Sequence, residues 1–206
     1  MIKHLNWRGV AVASGGAFMI ITNVVFSPLL PMELSGPEMM ASDAFLWRLS
    51  LASLAVFLLM IGLPGLYRYQ SGQTGRFGML AFGLAFIGSA ALFAHEWAQV
   101  FYVHPLALVD PEALQAVEDA EGLNLYTLEA MIAAGTFAIG WLAFSASMLM
   151  AKVFTRLGPA LVIAGFFAVP LLTVALGTWG AIMGTVVLGA GWIVLGRELI
   201  KGSENP

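Results

Sequence analysis

Six runs of mainly apolar residues recur along the chain, separated by short polar links. This pattern constrains the fold more than any motif does. About 20 apolar residues wound as a helix cross the ~30 Å hydrocarbon core of a bilayer, and in lipid every backbone N–H and C=O must be bonded within its own segment. Residues 9–30, 44–66, 77–103, 128–151, 157–176 and 180–196 meet this condition or come close to it. Composition points the same way. Of 206 residues, 60% are hydrophobic and 10% charged, against about 45–50% and about 25% in soluble domains. Mean hydropathy is +0.88. A chain this apolar cannot conceal its surface around one soluble core. The expected fold is all-α: a polytopic membrane protein, one transmembrane domain built as a bundle of six helices.

Local signals punctuate the bundle. Pro28 and Pro31 close the first span, and Pro64-Gly65 reads as the break after the second. Pro159 opens the fifth span and Pro170 lies inside it. The sixth span is the shortest and is open to extension through Arg197–Ile200. Pro31–Asp43 reads as irregular. Between spans three and four, Asp110 is a natural N-cap, Pro111 fits the first helical position and Gly122 fits the stop. A short acidic helix outside the membrane is expected there.

Charge sets the orientation. Lys3, Arg8, Arg68, Arg76, Lys152, Arg156, Arg197 and Lys201 all fall at one end of the spans, leaving Arg48 as the only basic residue at the other. The acids Glu33, Glu38, Asp43, Asp110, Glu112, Glu118, Asp119 and Glu121 gather at that other end. Basic residues concentrate on the cytoplasmic side, so both termini are expected in the cytoplasm and the chain in the cell membrane as a multi-pass protein. The basic start, Met1–Arg8, leads into an apolar run too long for a cleaved signal and reads as a retained first span.

Several function classes are excluded. A net charge of −3 with few, clustered charges gives no basic face for nucleic acid. The absence of cysteine removes disulfides, thiol catalysis and thiolate metal sites. No lysine lies within a span, so no retinal Schiff base can form. There is no P-loop, no Gly-x-Ser-x-Gly and no pair of membrane aspartates.

Chemistry is concentrated at the outer end of the third span. His95, Glu96, Gln99 and Tyr102 recur there at helical spacing and form one polar stripe. Glu96 lies eight residues before His104, about 12 Å along the axis at 1.5 Å per residue, so it sits below the interface. Ionised groups inside a membrane cost ~2.5–3.5 kcal/mol on insertion scales and usually pair. Arg48, about one turn into the second span, is the natural partner for Glu96. Asn23, Ser145 and Ser147 are candidates to line the same space, with helix–helix hydrogen bonding as their commoner role.

His95 has the chemistry of a proton carrier or a metal or haem ligand. A bis-histidine haem needs a second deep histidine, and His4 and His104 fall at span ends. His95-Glu96-Trp97-Ala98-Gln99 departs from the zinc motif H-E-x-x-H by Gln99 at the second histidine position. No metal, cofactor or catalytic residue is therefore expected.

Three readings follow. The first is a non-catalytic accessory or scaffold subunit with Arg48 and Glu96 as an internal strut. The alternative is binding or transport of a small solute or protons through an outward-facing pocket around Arg48, His95, Glu96, Gln99, Tyr102 and Asn23. The weakest is an intramembrane enzyme using His95 and Glu96. Expected partners are the lipid bilayer and a membrane-protein partner or second copy docking on Gly/Ala/Ser helix faces. Gly180-x-x-x-Gly184 is one such face, with close packing inside the bundle as its default role.

Overall fold

A computed structural model describes residues 6–31, 33–119 and 125–202. Among them every regular element is helical. The long ones are α1 (Trp7–Ile21), α3 (Asp43–Ala98), α6 (Leu125–Ala151), α7 (Leu157–Leu176) and α8 (Thr178–Gly202). The short ones are α2 (Gly36–Met40), α4 (His104–Val109) and α5 (Pro111–Glu118). Five stretches are long and apolar enough to cross a membrane, as befits an integral membrane protein.

The 56 residues of α3 would measure about 84 Å as one straight helix. They fold back instead. Gly75 sits at φ 55°, ψ −149°, a region essentially reserved for glycine, and the chain reverses there. The rings of Tyr67 and Phe82 stack at 4.5 Å, and Phe57 meets Phe93 at 5.6 Å. Residues so far apart in sequence touch only between two antiparallel arms. The break expected at Pro64-Gly65 does not occur there. Pro64 lies inside the helix and Leu63, Gly65 and Leu66 are buried against neighbours, so packing carries the helix through the missing N–H. Arg68 and Arg76, expected in a loop, are therefore helical.

The other elements follow their end signals. Pro31–Asp43, expected irregular, contains α2, because Ser35 and Glu38 form a reciprocal capping box. There Glu38 Oε2 accepts from the Ser35 N–H at 3.1 Å and from its hydroxyl at 2.9 Å, which holds this exposed carboxyl below its ordinary range. Asp110 caps α5 by accepting from Ala113 N at 3.0 Å, with Pro111 in the first turn; the Gly122 stop lies outside the described residues. α8 is 25 residues long, longer than residues 180–196, and takes in Arg197–Ile200. Gly177, at φ 58°, makes the tight turn from α7 into α8.

Close glycine contacts join the helices into a ring. A Cβ on Gly16 would lie 2.5 Å from the Gly189 carbonyl, and one on Gly196 2.5 Å from the Gly9 carbonyl. α1 and α8 thus run antiparallel, backbone against backbone. Gly62 and Gly15 bring the first arm of α3 onto α1, while Gly88 and Gly140 seat its second arm on α6. Gly165, Gly184 and Gly191 join α7 to α8, and α6 and α7 complete the circuit. Gly180 and Gly184 abut Leu172 and Val169 of α7, so that face is covered within the chain.

The centre of the ring holds an aromatic cluster. Trp141 and Trp192 are fully buried and meet edge to face at 5.3 Å, with Phe137, Phe144 and Phe166 around them. Trp141 Nε1 donates to Ser89 Oγ at 3.1 Å, and that hydroxyl donates to the Ala85 carbonyl at 2.7 Å. This satisfies the indole that burial would otherwise orphan.

Candidate functional site

Above the aromatic cluster the ring is not filled. A cavity of about 540 Å³ is lined by side chains from α1, both arms of α3, α6, α7 and α8. Phe137 and Phe166 form part of its wall and also touch Trp192, so packed rings separate the cavity from the basic end. Thr22, Asn23, Arg48, Glu96 and Thr185 supply its polar groups. A second space of about 370 Å³ shares Arg48 and Asn23 with the first and extends past Ser27 and Thr173 to the Gly177 turn.

Local backbone irregularity places the polar groups from α1. After Ile21 the helix widens into a π-turn, Thr22–Phe26, and then tightens into a 3₁₀ turn, Ser27–Leu29. Such bulges disturb the regular ladder and recur at functional sites. Asn23 Nδ2 donates to the Met19 carbonyl at 3.0 Å, and Ser27 Oγ donates to Asn23 Oδ1 at 3.4 Å. Arg48 Nε donates to Ser27 Oγ at 3.2 Å. The guanidinium is thus anchored through one N–H, and among the described residues its remaining donors have no partner.

Glu96 does not pair with Arg48. Both line the cavity, but Glu96 Oε2 is buried and makes no hydrogen bond, and Thr22 Oγ1 in the same wall is also buried without one. Native proteins leave few buried polar atoms unsatisfied, and each calls for an explanation. Here two of them belong to residues whose side chains line one cavity, together with Arg48.

The rest of the polar stripe divides. His95 turns to α6, where Nδ1 lies 2.6 Å from Glu129 Oε2 and the ring lies 5.7 Å from Tyr126. Its Nε2 is 2.9 Å from Gln99 Nε2. A carboxylate can only accept, so Nδ1 carries the proton and Nε2 accepts from the Gln99 amide. His95 and Gln99 are not in the cavity wall, and Tyr102 is 73% exposed on the outer surface. A second π-turn, Gln99–Val103, lets this end of the arm continue into α4. His104 Nδ1 bonds the Met40 carbonyl at 2.8 Å and ties α4 to α2. Ser145 and Ser147 lie outside the cavity: Ser147 donates to the Phe144 carbonyl and accepts from Gln70, and Ser145 is buried.

Sequence reasoning missed Glu129. Its signal was available, as an acid near the start of an apolar span, where acids favour the helix N-terminus. It also missed Thr22 and Thr185, because an isolated threonine in a span gives no sign of facing a cavity. Among the described residues no cluster of three metal-ligating side chains occurs. No family model matches the chain, and no curated protein or solved structure matches it either.

Proposed function

We propose that the chain is a six-span membrane protein that binds a small organic solute in the Arg48–Glu96 cavity, taking it from the acidic end. The observation that carries this reading is a mostly apolar cavity of about 540 Å³ whose wall includes Arg48, with guanidinium donors left free, and Glu96, whose Oε2 has no hydrogen-bond partner among the described residues. Pockets for small ligands typically measure about 300–1,000 Å³ and are mostly apolar with a few placed polar groups. Protons alone need no such volume. The complementary solute is compact and largely apolar. It carries an anionic group for the free N–H donors of Arg48 and a hydrogen-bond donor or ammonium for Glu96.

The two arms of α3 each have the length of a crossing, which raises the five apolar stretches to six spans. Arg8 and Arg68 share one end of the ring with the C-terminal part of α8. By the positive-inside bias that end is cytoplasmic, together with both termini. The packed rings of Phe137, Phe166 and Trp192 on the basic-end side of the cavity support access from the opposite, acidic end. Two contacts support a binding role over a structural strut: Arg48 bonds Ser27 with no hydrogen bond to Glu96, and His95 is engaged by Glu129 and Gln99.

The test is purification from native membranes in mild detergent, followed by mass spectrometry of what comes with the protein. The expected result is a small charged or zwitterionic molecule, retained by wild type and lost from folded Arg48→Gln and Glu96→Gln. A stoichiometric partner subunit with no small molecule would overturn the reading.

A further inference from the structure

The basic end holds a second polar pocket, of about 550 Å³, lined by Asn6, Arg8, Gly65, Arg68, Tyr69 and Leu199 with Gly202. Arg8 and Asn23 are fifteen residues apart on one helical run, so this pocket lies about 22 Å along the axis from the first cavity. It is a built site. The stem of Arg8 rests on Gly65, where a Cβ would come within 2.7 Å of Arg8 Cβ. The Arg8 guanidinium lies 5.4 Å over the Trp7 ring. Asn6 is locked on both sides, donating from Nδ2 to the Leu199 carbonyl at 3.1 Å and accepting from Gly9 N at 3.4 Å. Tyr69 is held between Gly202 and the Phe154 ring.

Among the described residues no carboxylate lines the pocket. The acid on the adjoining stretch of α8, Glu198, is already bonded to the backbone and hydroxyl of Thr155. Among the described residues neither the Arg8 nor the Arg68 guanidinium has a hydrogen bond or ion pair. Two arginines thus line one polar space, and among the described residues neither has a counter-ion. Arginine suits the bidentate recognition of phosphate oxygens. Trp7 and Tyr69 mark this depth as the membrane–water interface, where aromatic belts sit and where basic pockets between helices hold anionic headgroups.

We infer that this pocket binds a phosphate ester, gripped by Arg8 and Arg68 with the Tyr69 hydroxyl as a further donor. The chemistry is shared by the headgroup of an anionic phospholipid and by a soluble phosphate ester. Delipidated protein is titrated with short-chain phosphatidylglycerol, with phosphatidylcholine, and with glycerol phosphate and inorganic phosphate, and binding is read by native mass spectrometry. Wild type is expected to bind phosphatidylglycerol or glycerol phosphate at least about tenfold more tightly than phosphatidylcholine. Arg8→Gln and Arg68→Gln each weaken this at least about tenfold. Arg197→Gln, an exposed basic residue at the same end and outside the pocket, leaves it within about twofold. Preference for the lipid assigns the site to a headgroup, and displacement by glycerol phosphate assigns it to a soluble ester. If either glutamine variant fails to fold, Arg8→Lys and Arg68→Lys keep the charge but lose the fork, and are expected to weaken binding. Equal affinity for all four ligands, or an equal loss in Arg197→Gln, would overturn the inference.

Discussion

Gly16→Ala separates the two effects that a glycine in a membrane helix balances. In a helix interior alanine is favoured over glycine by ~0.8–1.0 kcal/mol. At Gly16, however, the new Cβ would stand 2.5 Å from the Gly189 carbonyl and 3.0 Å from Trp192 Cβ. The nearest obstacle is backbone and cannot rotate away. Bringing the contact out to 3.4 Å, where ordinary packing begins, requires α1 and α8 to separate by about 0.9 Å. A gap of 0.5–1 Å forfeits about a quarter to a half of the dispersion energy between facing atoms, and overpacking of this kind costs about 1–3 kcal/mol. Set against the propensity gain, the clash leaves a net destabilisation of roughly 0–2 kcal/mol. Gly189→Ala meets the Gly16 carbonyl at 2.7 Å across the same crossing point. Once one substitution has moved the helices apart the second costs less, so the double variant is less destabilised than the sum. Gly83 and Gly135 have nothing within 4 Å of a built Cβ, and alanine there is expected to be neutral or stabilising. Thermal unfolding in detergent, followed by monodisperse elution, reads all five variants. Equal effects at Gly16 and Gly83, or full additivity of the double variant, would refute the close α1–α8 seam.

Other outcomes follow from single geometries. Gly75→Ala has room for its methyl group but not for its φ of 55°, and is expected to lose about 1–3 kcal/mol; an unchanged melting temperature would remove Gly75 as the site of reversal. ¹⁵N NMR of neutral His95 is expected to show the Nδ1–H form, and an Nε2–H form would contradict the Glu129–His95–Gln99 arrangement. The capping carboxyl of Glu38 has its folded-state pKa lowered by Ser35. Its contribution to α2 is therefore complete above the ordinary value of 4.5 and is lost as pH falls through the lowered one. An NMR titration of Glu38 is expected to return to the ordinary range in Ser35→Ala, and an unchanged titration would show that the box does not form in solution.

Hydropathy made the fold class and most helix positions legible, because the length of an apolar run is a one-dimensional property. Residues 157–176 coincide with α7 for this reason. Reversals were less legible. Pro64-Gly65 carries a strong break signal that burial of Leu63 and Leu66 overrides, while Gly75 gives a weaker one that the backbone uses. The site was legible as a list of polar residues and not as a partition. Helical spacing put His95, Glu96, Gln99 and Tyr102 on one broad stripe. Which way each turns depends on what faces it: Glu129 on α6 takes His95, and the open centre takes Glu96. The pairing of Arg48 with Glu96 was inferred from charge and from their positions near the same end of the second and third spans. Ser27, placed by the π-turn, is the group that meets Arg48 instead.

Because the chain has no cysteine, the central claim can be tested by introducing one thiol at a time. Ala138 lines the Arg48–Glu96 cavity. In intact cells Ala138→Cys should react with a small, membrane-impermeant cationic methanethiosulfonate added from outside. Gly83→Cys should stay unreactive in lipid, and Ser71→Cys, near the basic-end reversal, should react only after permeabilisation. An unreactive Ala138→Cys in folded protein, or one reached only from the basic end, would contradict an outward-opening solute site.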